Sequence, residues 1–152
     1  MGDMTLALAQ RGLEAGLAKA RALGTPMTVS IVDDAGRIVL IGRGDGTGFF
    51  TPNTSLGKAV AAAAFKRPTK EMGEMFAKGS SFWESVTSVI PGQILPSIGG
   101  VPVVAGGKVI GAVGCGGGTG EQDHDCAVAA AEAMARLHHV PPSMVPATVK
   151  PE

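Results

Sequence analysis

Apolar residues recur at helical spacing near the start of the chain. Over residues 5–23, leucine and alanine share one face, and Gly24 is a natural stop after them. The residues of that face are Leu6, Leu13, Leu17 and Ala20. The pattern predicts an amphipathic helix that packs on the rest of the domain through this face.

The next apolar runs are short and β-type. Residues 27–32 and 37–42 are rich in valine and isoleucine, and the segment 33–36 between them, Asp-Asp-Ala-Gly, is typical of a turn. These features predict a β-hairpin. A loop with several glycines follows at residues 43–53.

Two helices are predicted in the middle of the chain. Asn53, Thr54 or Ser55 is expected to cap the first one, which runs to Phe65 and is broken by Pro68.

The second of these helices is shorter and is predicted over residues 69–77. Its expected packing residues are Met72, Met75 and Phe76. Residues 79–96 are predicted to be irregular, with an edge strand at 93–95.

The last third of the chain predicts two strands bounded by glycines, a glycine-rich bend and a long helix. Thr119 and Gln122 have the spacing of a capping box, which marks the start of that helix. Most residues from Gly114 to Gly118 lack a side chain, so either backbone or a flat ligand can approach closely there.

Together these elements predict an α+β fold with helices packed on an antiparallel five-stranded sheet. The predicted order is α-β-β-α-α-β-β-β-α. Residues 1–140 are expected to form a single domain, and the proline-rich residues 141–152 are expected to form a C-terminal tail.

Charge and composition limit the possible partners. The formal net charge is zero, with 13 basic and 13 acidic residues, which argues against nucleic-acid binding. Apolar residues make up 45% and charged residues 17% of the chain, so a homo-oligomer is expected.

The sequence predicts no membrane span, and a cytoplasmic location is expected because no signal-peptide pattern is recognised. Cys115 and Cys126 are expected to be buried free thiols.

Several segments resemble one known family, the GlcG/HbpS family, which also occurs as the C-terminal domain of PduO-type proteins. The segments that carry the resemblance are 32–36, 64–69, 99–102, 107–114 and 117–123, the last reading Gly-Gly-Thr-Gly-Glu-Gln-Asp. The resemblance implies a profilin-like or PAS-like sheet and a domain that binds haem or resembles haem-degrading proteins.

One group of candidate binding residues surrounds the loop after the hairpin. Arg43 is suited to clamp a carboxylate, such as a haem propionate, and Phe49 and Phe50 are suited to lie against a flat ring. Asn53 lies near the start of the next helix, and Lys58 lies further along it, where it pairs either with an anionic ligand or with an acid of a neighbouring subunit. The alternative is a structural loop with an Arg43–Asp45 contact and two core phenylalanines.

A second group belongs to the glycine-bounded strands and the bend. Its cofactor-binding candidates are Gly99, Gly100, Cys115 and Thr119. His124 is a candidate haem or iron ligand, or an acid–base group, and the alternative is an ordinary surface histidine. Glu121, Asp123 and Asp125 either supply oxygen ligands to iron or are solvated acids that complement the helix dipole.

Three functions follow as hypotheses. The first is a haem- or iron-linked protein that binds a small ligand. The second is a catabolic enzyme of the isomerase, tautomerase or decarboxylase type that acts on a carboxylate substrate, with catalytic candidates Arg43, Lys58, Glu121 and His124. The third is an assembly module whose strand edge pairs between subunits. Both ligand hypotheses expect the loop at Arg43 and the glycine-rich bend to frame a single cavity.

Overall fold

A computed structural model describes residues 3–139 of the chain. Within them the chain forms five helices and four strands. In chain order these are α1 (Leu6–Leu23), β1 (Thr28–Asp33), β2 (Ile38–Arg43), α2 (Thr51–Phe65), α3 (Thr69–Ala77), α4 (Ser81–Val89), β3 (Gly100–Ala105), β4 (Lys108–Gly116) and α5 (Gly120–Leu137). No helix among the described residues combines the length and the apolar character needed to cross a membrane.

The four strands form one antiparallel sheet in the order β2-β1-β4-β3. The hairpin β1–β2 and the hairpin β3–β4 therefore meet through the pairing of β1 with β4. Thr28 is paired with Arg43 on one side and with Gly116 on the other, so the ends of β2 and β4 lie at the same end of the sheet.

The sheet separates two helical layers. Helices α1 and α5 pack on one face, where Val29, Ile31 and Val113 of the strands meet Ala127 and Met134 of α5 in the main core. Helix α2 covers the other face with three alanines, against Val32 and Ala112. The alanines are Ala59, Ala62 and Ala63.

Helix α2 approaches the sheet at positions where glycines face it, so that no Cβ atom stands in between. A Cβ atom added to Gly114 would overlap the carbonyl oxygen of Ser55, and one added to Gly100 would overlap that of Lys58. Buried hydroxyl pairs also join α2 to β1, including Ser30 Oγ with Ser55 Oγ at 2.7 Å. For the glycine-rich bend the sequence leaves open the close approach of backbone or of a flat ligand, and at Gly114 it is backbone, that of α2, which approaches.

Much of the predicted fold is confirmed. The α+β class, the first hairpin, the helix at Thr69–Ala77, the last strand pair and the capping box are all present. In the capping box the Thr119 side chain accepts from the Gln122 backbone N–H, and the Gln122 side chain accepts from the Thr119 N–H.

The predicted fifth strand is wrong, and so is the predicted order of elements. Residues 93–95 are not a strand, because Ile94 instead packs with Ala61 and Met72 in a small cluster beneath α2 and α3. The segment predicted to be irregular contains α4, so the order is α-β-β-α-α-α-β-β-α. The signal for α4 was present, since Trp83, Val86 and Ile90 recur at helical spacing.

Two local predictions also need correction. Helix α2 begins at Thr51 with Pro52 in its first turn, so Asn53, Thr54 and Ser55 lie inside the helix and do not cap it. Of the packing residues predicted for α3, Met72 is buried, but Met75 and Phe76 are exposed. The tail predicted at residues 141–152 lies outside the described residues.

Candidate functional site

A buried ion pair crosses the end of the sheet and joins the two helical layers. Lys58 Nζ of α2 lies 3.0 Å from Asp123 Oδ2 of α5, and the two side chains are only 8% and 7% exposed. Lys58 Nζ also donates to the Cys115 carbonyl oxygen at 2.9 Å, and Asp123 Oδ1 accepts from the Gly118 backbone N–H at 2.9 Å. The pair therefore fixes both sides of the glycine-rich bend.

Gly99 leaves the space in which this pair fits. A Cβ atom there would lie 3.0 Å from Lys58 Nζ and 3.0 Å from Asp123 Cβ, and its φ of +129° is one that other residues rarely adopt. The next glycine, Gly100, donates its N–H to Thr69 Oγ1 at 2.8 Å. The two glycines, which the sequence placed among the cofactor-binding candidates, thus contact the protein's own side chains.

Burial dominates the electrostatics of this region. It raises the pKa of Asp123 above its usual value, although the Lys58 ammonium and the Gly118 N–H oppose that effect. The expectation that Asp123 is a solvated acid is therefore wrong.

Burial is also the main cause of the raised pKa values of the two cysteine thiols. It raises the pKa of the Cys115 thiol well above its usual value and that of Cys126 to about 11. Both thiols are free and buried, as expected, and both are protonated at neutral pH. Cys115 is fully buried in the main core and lines neither of the two described grooves.

A groove of about 700 Å³ opens beside the start of α5. Its walls come from α3, α4, the segment before β3 and the first turn of α5. They consist of Lys70, Gly73, Glu74, Phe76, Ala77, Thr87, Leu95, Pro96, Ser97, Ile98 and Glu121. Lys70 Nζ and Glu121 Oε2 approach to 3.5 Å at the groove, with both side chains open to solvent. A cavity of this volume is in the range that holds a small molecule.

His124 lies one helical turn after Glu121, on the same side of α5. Its Nδ1 atom is buried and has no hydrogen-bond partner within residues 3–139. Leaving a buried nitrogen unsatisfied is costly, and such atoms in proteins are normally paired with a protein group or an ordered water molecule.

The loop that carries Arg43 lies at the same end of the sheet but not at the groove. Arg43 Nη1 donates to the Thr47 carbonyl oxygen at 3.3 Å, in place of the Asp45 contact considered from the sequence. Phe49 is 88% exposed and Phe50 is exposed as well, so neither is a core residue.

The structure gathers only part of the predicted site. Glu121 lines the groove, and His124 lies one turn away from it. The other predicted site residues line neither this groove nor the second described groove, which lies between α1 and α5. They are Arg43, Phe49, Phe50, Asn53, Lys58, Gly99, Gly100, Cys115 and Thr119. The loop and the bend do touch, since a Cβ atom on Gly117 would lie 3.1 Å from Thr47 Cγ2, but the contact encloses no described cavity.

Sequence reasoning missed Lys70 and the segment 95–98, which together build the groove. The acids at the start of α5 suggested oxygen ligands for iron. Within residues 3–139, however, no group of three or more His, Cys, Asp or Glu side chains is arranged to hold a metal ion. The sequence signal that could have pointed to Lys70 is its position directly after Thr69, the predicted start of a helix.

Comparison with known proteins gives consistent matches along most of the chain. The family model described as "Haem degrading protein HbpS-like" matches residues 4–132. An uncharacterised 15.0 kDa protein from the dhaT-dhaS intergenic region of Citrobacter freundii is 35% identical over 137 residues, which is 90% of this chain and 96% of that protein.

Solved structures agree with this match. The crystal structure of Klebsiella pneumoniae protein ORFY has a TM-score of 0.81 at 34% identity, covering 87% of this chain and 90% of that one. A crystal structure of a PduOC:heme complex has a TM-score of 0.78 at 28% identity, covering 86% and 94%.

Proposed function

We propose that this chain, which belongs to the GlcG/HbpS family, is a haem-binding protein that holds the porphyrin in the groove beside α5. The observation that carries the proposal is the groove of about 700 Å³ beside α5, which is lined by apolar side chains and Lys70 and has His124 one helical turn away. The PduOC:heme complex, a relative with the same fold, supports haem as the class of ligand.

Of the candidate donors, His124 and Met75 are not fully buried, and we favour His124 as the residue that holds the iron. Cys115, Met27, Met72 and Met134 are all fully buried in hydrophobic clusters, so they are out of reach of a groove ligand. Imidazole nitrogen is a common protein ligand for haem iron.

The groove itself fits a large apolar ligand with acidic substituents. Leu95, Pro96 and Ile98 provide apolar contact area, and Lys70 provides a cation for a propionate. Bound haem would supply the iron chemistry, while these side chains bind the ring, exclude water and fix its orientation.

The enzyme hypothesis has weaker support. It needs Arg43 and Lys58 close to Glu121 and His124, but Lys58 is engaged by Asp123 and the Cys115 carbonyl, and Arg43 lies in a different loop. Iron held without porphyrin is likewise disfavoured within residues 3–139, because no three suitable side chains converge there.

Self-association is a separate proposal, supported by several large apolar side chains that are exposed. They include Phe49, Phe76, Phe82 and Val89. Light scattering on the purified protein tests the homo-oligomer, and the assembly-module hypothesis gains if oligomers form without any ligand. The expectations of a cytoplasmic location and of no nucleic-acid partner stay as predictions.

The test of haem binding is a titration of the protein with haemin, followed by the Soret absorption band. We expect saturable binding, with an affinity at least about tenfold lower in His124→Ala, since removing even an outer-shell partner of a metal ligand costs that much. His139→Ala is the matched control and should bind as the wild type does. Added imidazole should restore the Soret signature of His124→Gly. Unchanged binding by His124→Ala would remove His124 from the site, and the absence of any saturable Soret change would refute the proposed function.

A further inference from the structure

We propose that Glu121 occupies the carboxylate-binding position of the groove in the unliganded protein, and that a ligand carboxylate displaces it from Lys70. The inference rests on the proposed function in that it concerns the same groove. It defines the ligand class as a flat, mainly apolar molecule with a carboxylate, and it makes Lys70 the residue that selects the carboxylate.

The Lys70–Glu121 pair has the properties of an exchangeable contact. The Nζ–Oε2 distance is 3.5 Å, the side chains are 41% and 67% exposed, and both line the groove. Exposed ion pairs contribute little net stability, because water solvates each charge almost as well as the partner does. Replacing one carboxylate by another on Lys70 therefore costs little.

Of the two acids in the first turn of α5, Glu121 is the one that is free to move away. Asp123 is held by Lys58 and by the Gly118 N–H, and the Gln122 side chain is held in the capping box. Among the described residues, the polar contact of the Glu121 side chain is with Lys70 alone. Its departure leaves the cap and the buried pair intact.

The side chains around the Lys70–Glu121 pair indicate which ligand groups, apart from the carboxylate, the groove favours. Leu95, Pro96 and Ile98 offer apolar surface next to Lys70, which suits a ring system attached to the acid. Glu74 also lines the groove, four residues after Lys70 on α3, and opposes any anion there. Glu74 has no ion pair with Lys70, so removing its charge tests bulk electrostatics without vacating the carboxylate position.

The experiment compares two fluorescent probes, 1-pyrenebutanoic acid and the neutral 1-pyrenebutanol, by fluorescence anisotropy with the full chain. Glu121→Gln should tighten binding of the acid by about two- to fivefold, which is the value of an exposed ion pair, and should leave binding of the alcohol unchanged. Glu74→Gln, the matched control, should tighten the acid less. Lys70→Met should weaken the acid and not the alcohol, and in Lys70→Met/Glu121→Gln the gain from Glu121→Gln should disappear.

Equal effects of Glu121→Gln and Glu74→Gln would overturn the proposal, because the effect would then be general electrostatics. Failure of both the wild type and Glu121→Gln to prefer the acid over the alcohol would overturn it as well. These probes contain no iron, so the outcome is independent of haem. Selective binding of the acid without a haemin-dependent Soret change supports the carboxylate position and refutes only the haem-binding function.

Discussion

Two lysine–acid pairs tie the helices over residues 51–77 to the first turn of α5, and they differ in almost every property except their chemistry. Lys58 and Asp123 are 3.0 Å apart and nearly inaccessible, with extra bonds to backbone groups on both sides. Lys70 and Glu121 are 3.5 Å apart and open to solvent. The first pair is part of the fold, whereas the second is available to a ligand.

The difference teaches that burial, and not residue type, decides what an ion pair does. A buried charge without its partner is strongly penalised, so neither Lys58 nor Asp123 is free to leave the other. An exposed pair is worth little in either state, so its members exchange partners readily. Each prediction below tests whether the two pairs differ in this way.

The largest effect is expected for Lys58→Met, which leaves Asp123 buried without a counter-charge. We expect the free energy of unfolding to fall by about 3–5 kcal/mol, measured by urea or thermal denaturation. In Lys58→Met/Asp123→Leu both charges are gone, and most of the stability should return. A loss below about 1 kcal/mol in the single variant would place the buried pair in the same class as the exposed one.

Gly99→Ala is expected to have the next largest effect. The new methyl group would lie 2.9 Å from the Cys115 carbonyl oxygen and 3.0 Å from both Lys58 Nζ and Asp123 Cβ, and the residue would keep an unfavourable φ of +129°, for a loss of about 1–3 kcal/mol. The matched control is Gly106→Ala, since Gly106 also has positive φ (+59°) but nothing lies within 4 Å of its Cβ position. Equal losses in the two variants would show that backbone strain, and not the buried pair, sets the cost.

The pH dependence of Lys58→Met gives a smaller but more specific effect. Burial raises the pKa of Asp123 in the folded protein above its usual 3.8, and loss of Lys58 removes the main charge that opposes this shift. The folded state then binds a proton more tightly than the unfolded state, so stability rises as the pH falls towards 3.8 and is lost as the pH rises through the folded pKa.

The destabilisation by Lys58→Met should therefore be smaller at pH 5 than at pH 8 in urea unfolding. Lys58→Met/Asp123→Asn, which cannot titrate at this position, should have a stability that varies less between pH 5 and pH 8 than that of Lys58→Met. A destabilisation that grows as the pH falls would contradict the assigned role of burial.

The smallest effect is expected for Lys70→Met. Removing the exposed pair should change the free energy of unfolding by less than about 1 kcal/mol, because solvent already screens both charges. Differential scanning calorimetry checks this expectation, and Lys78→Met, a change of the same type at the end of α3, is the control. A loss comparable with that of Lys58→Met would contradict both the difference between the buried and the exposed pair and the exchange proposed for Glu121.

The sequence predicted those elements whose signals are local. The capping box at Thr119 and Gln122, the helix from Thr69 and the two hairpins depend on neighbouring residues, and all of them are present. The helix α4 was missed even though its spacing was readable. The site was predicted less well, because Lys70, Ile98 and Glu121 are distant in sequence and nothing local indicates that they share a groove.

The sequence by itself determined the family, the α+β class and the turns, since glycine positions and apolar spacing act over a few residues. Only the tertiary structure decided which lysine is buried and which is free, and whether the glycines admit a ligand or a helix. Burial is the sum of contacts from every layer of the fold. For that reason Lys58 and Lys70 carry similar local signals, although the first is buried against Asp123 and the second is exposed beside Glu121.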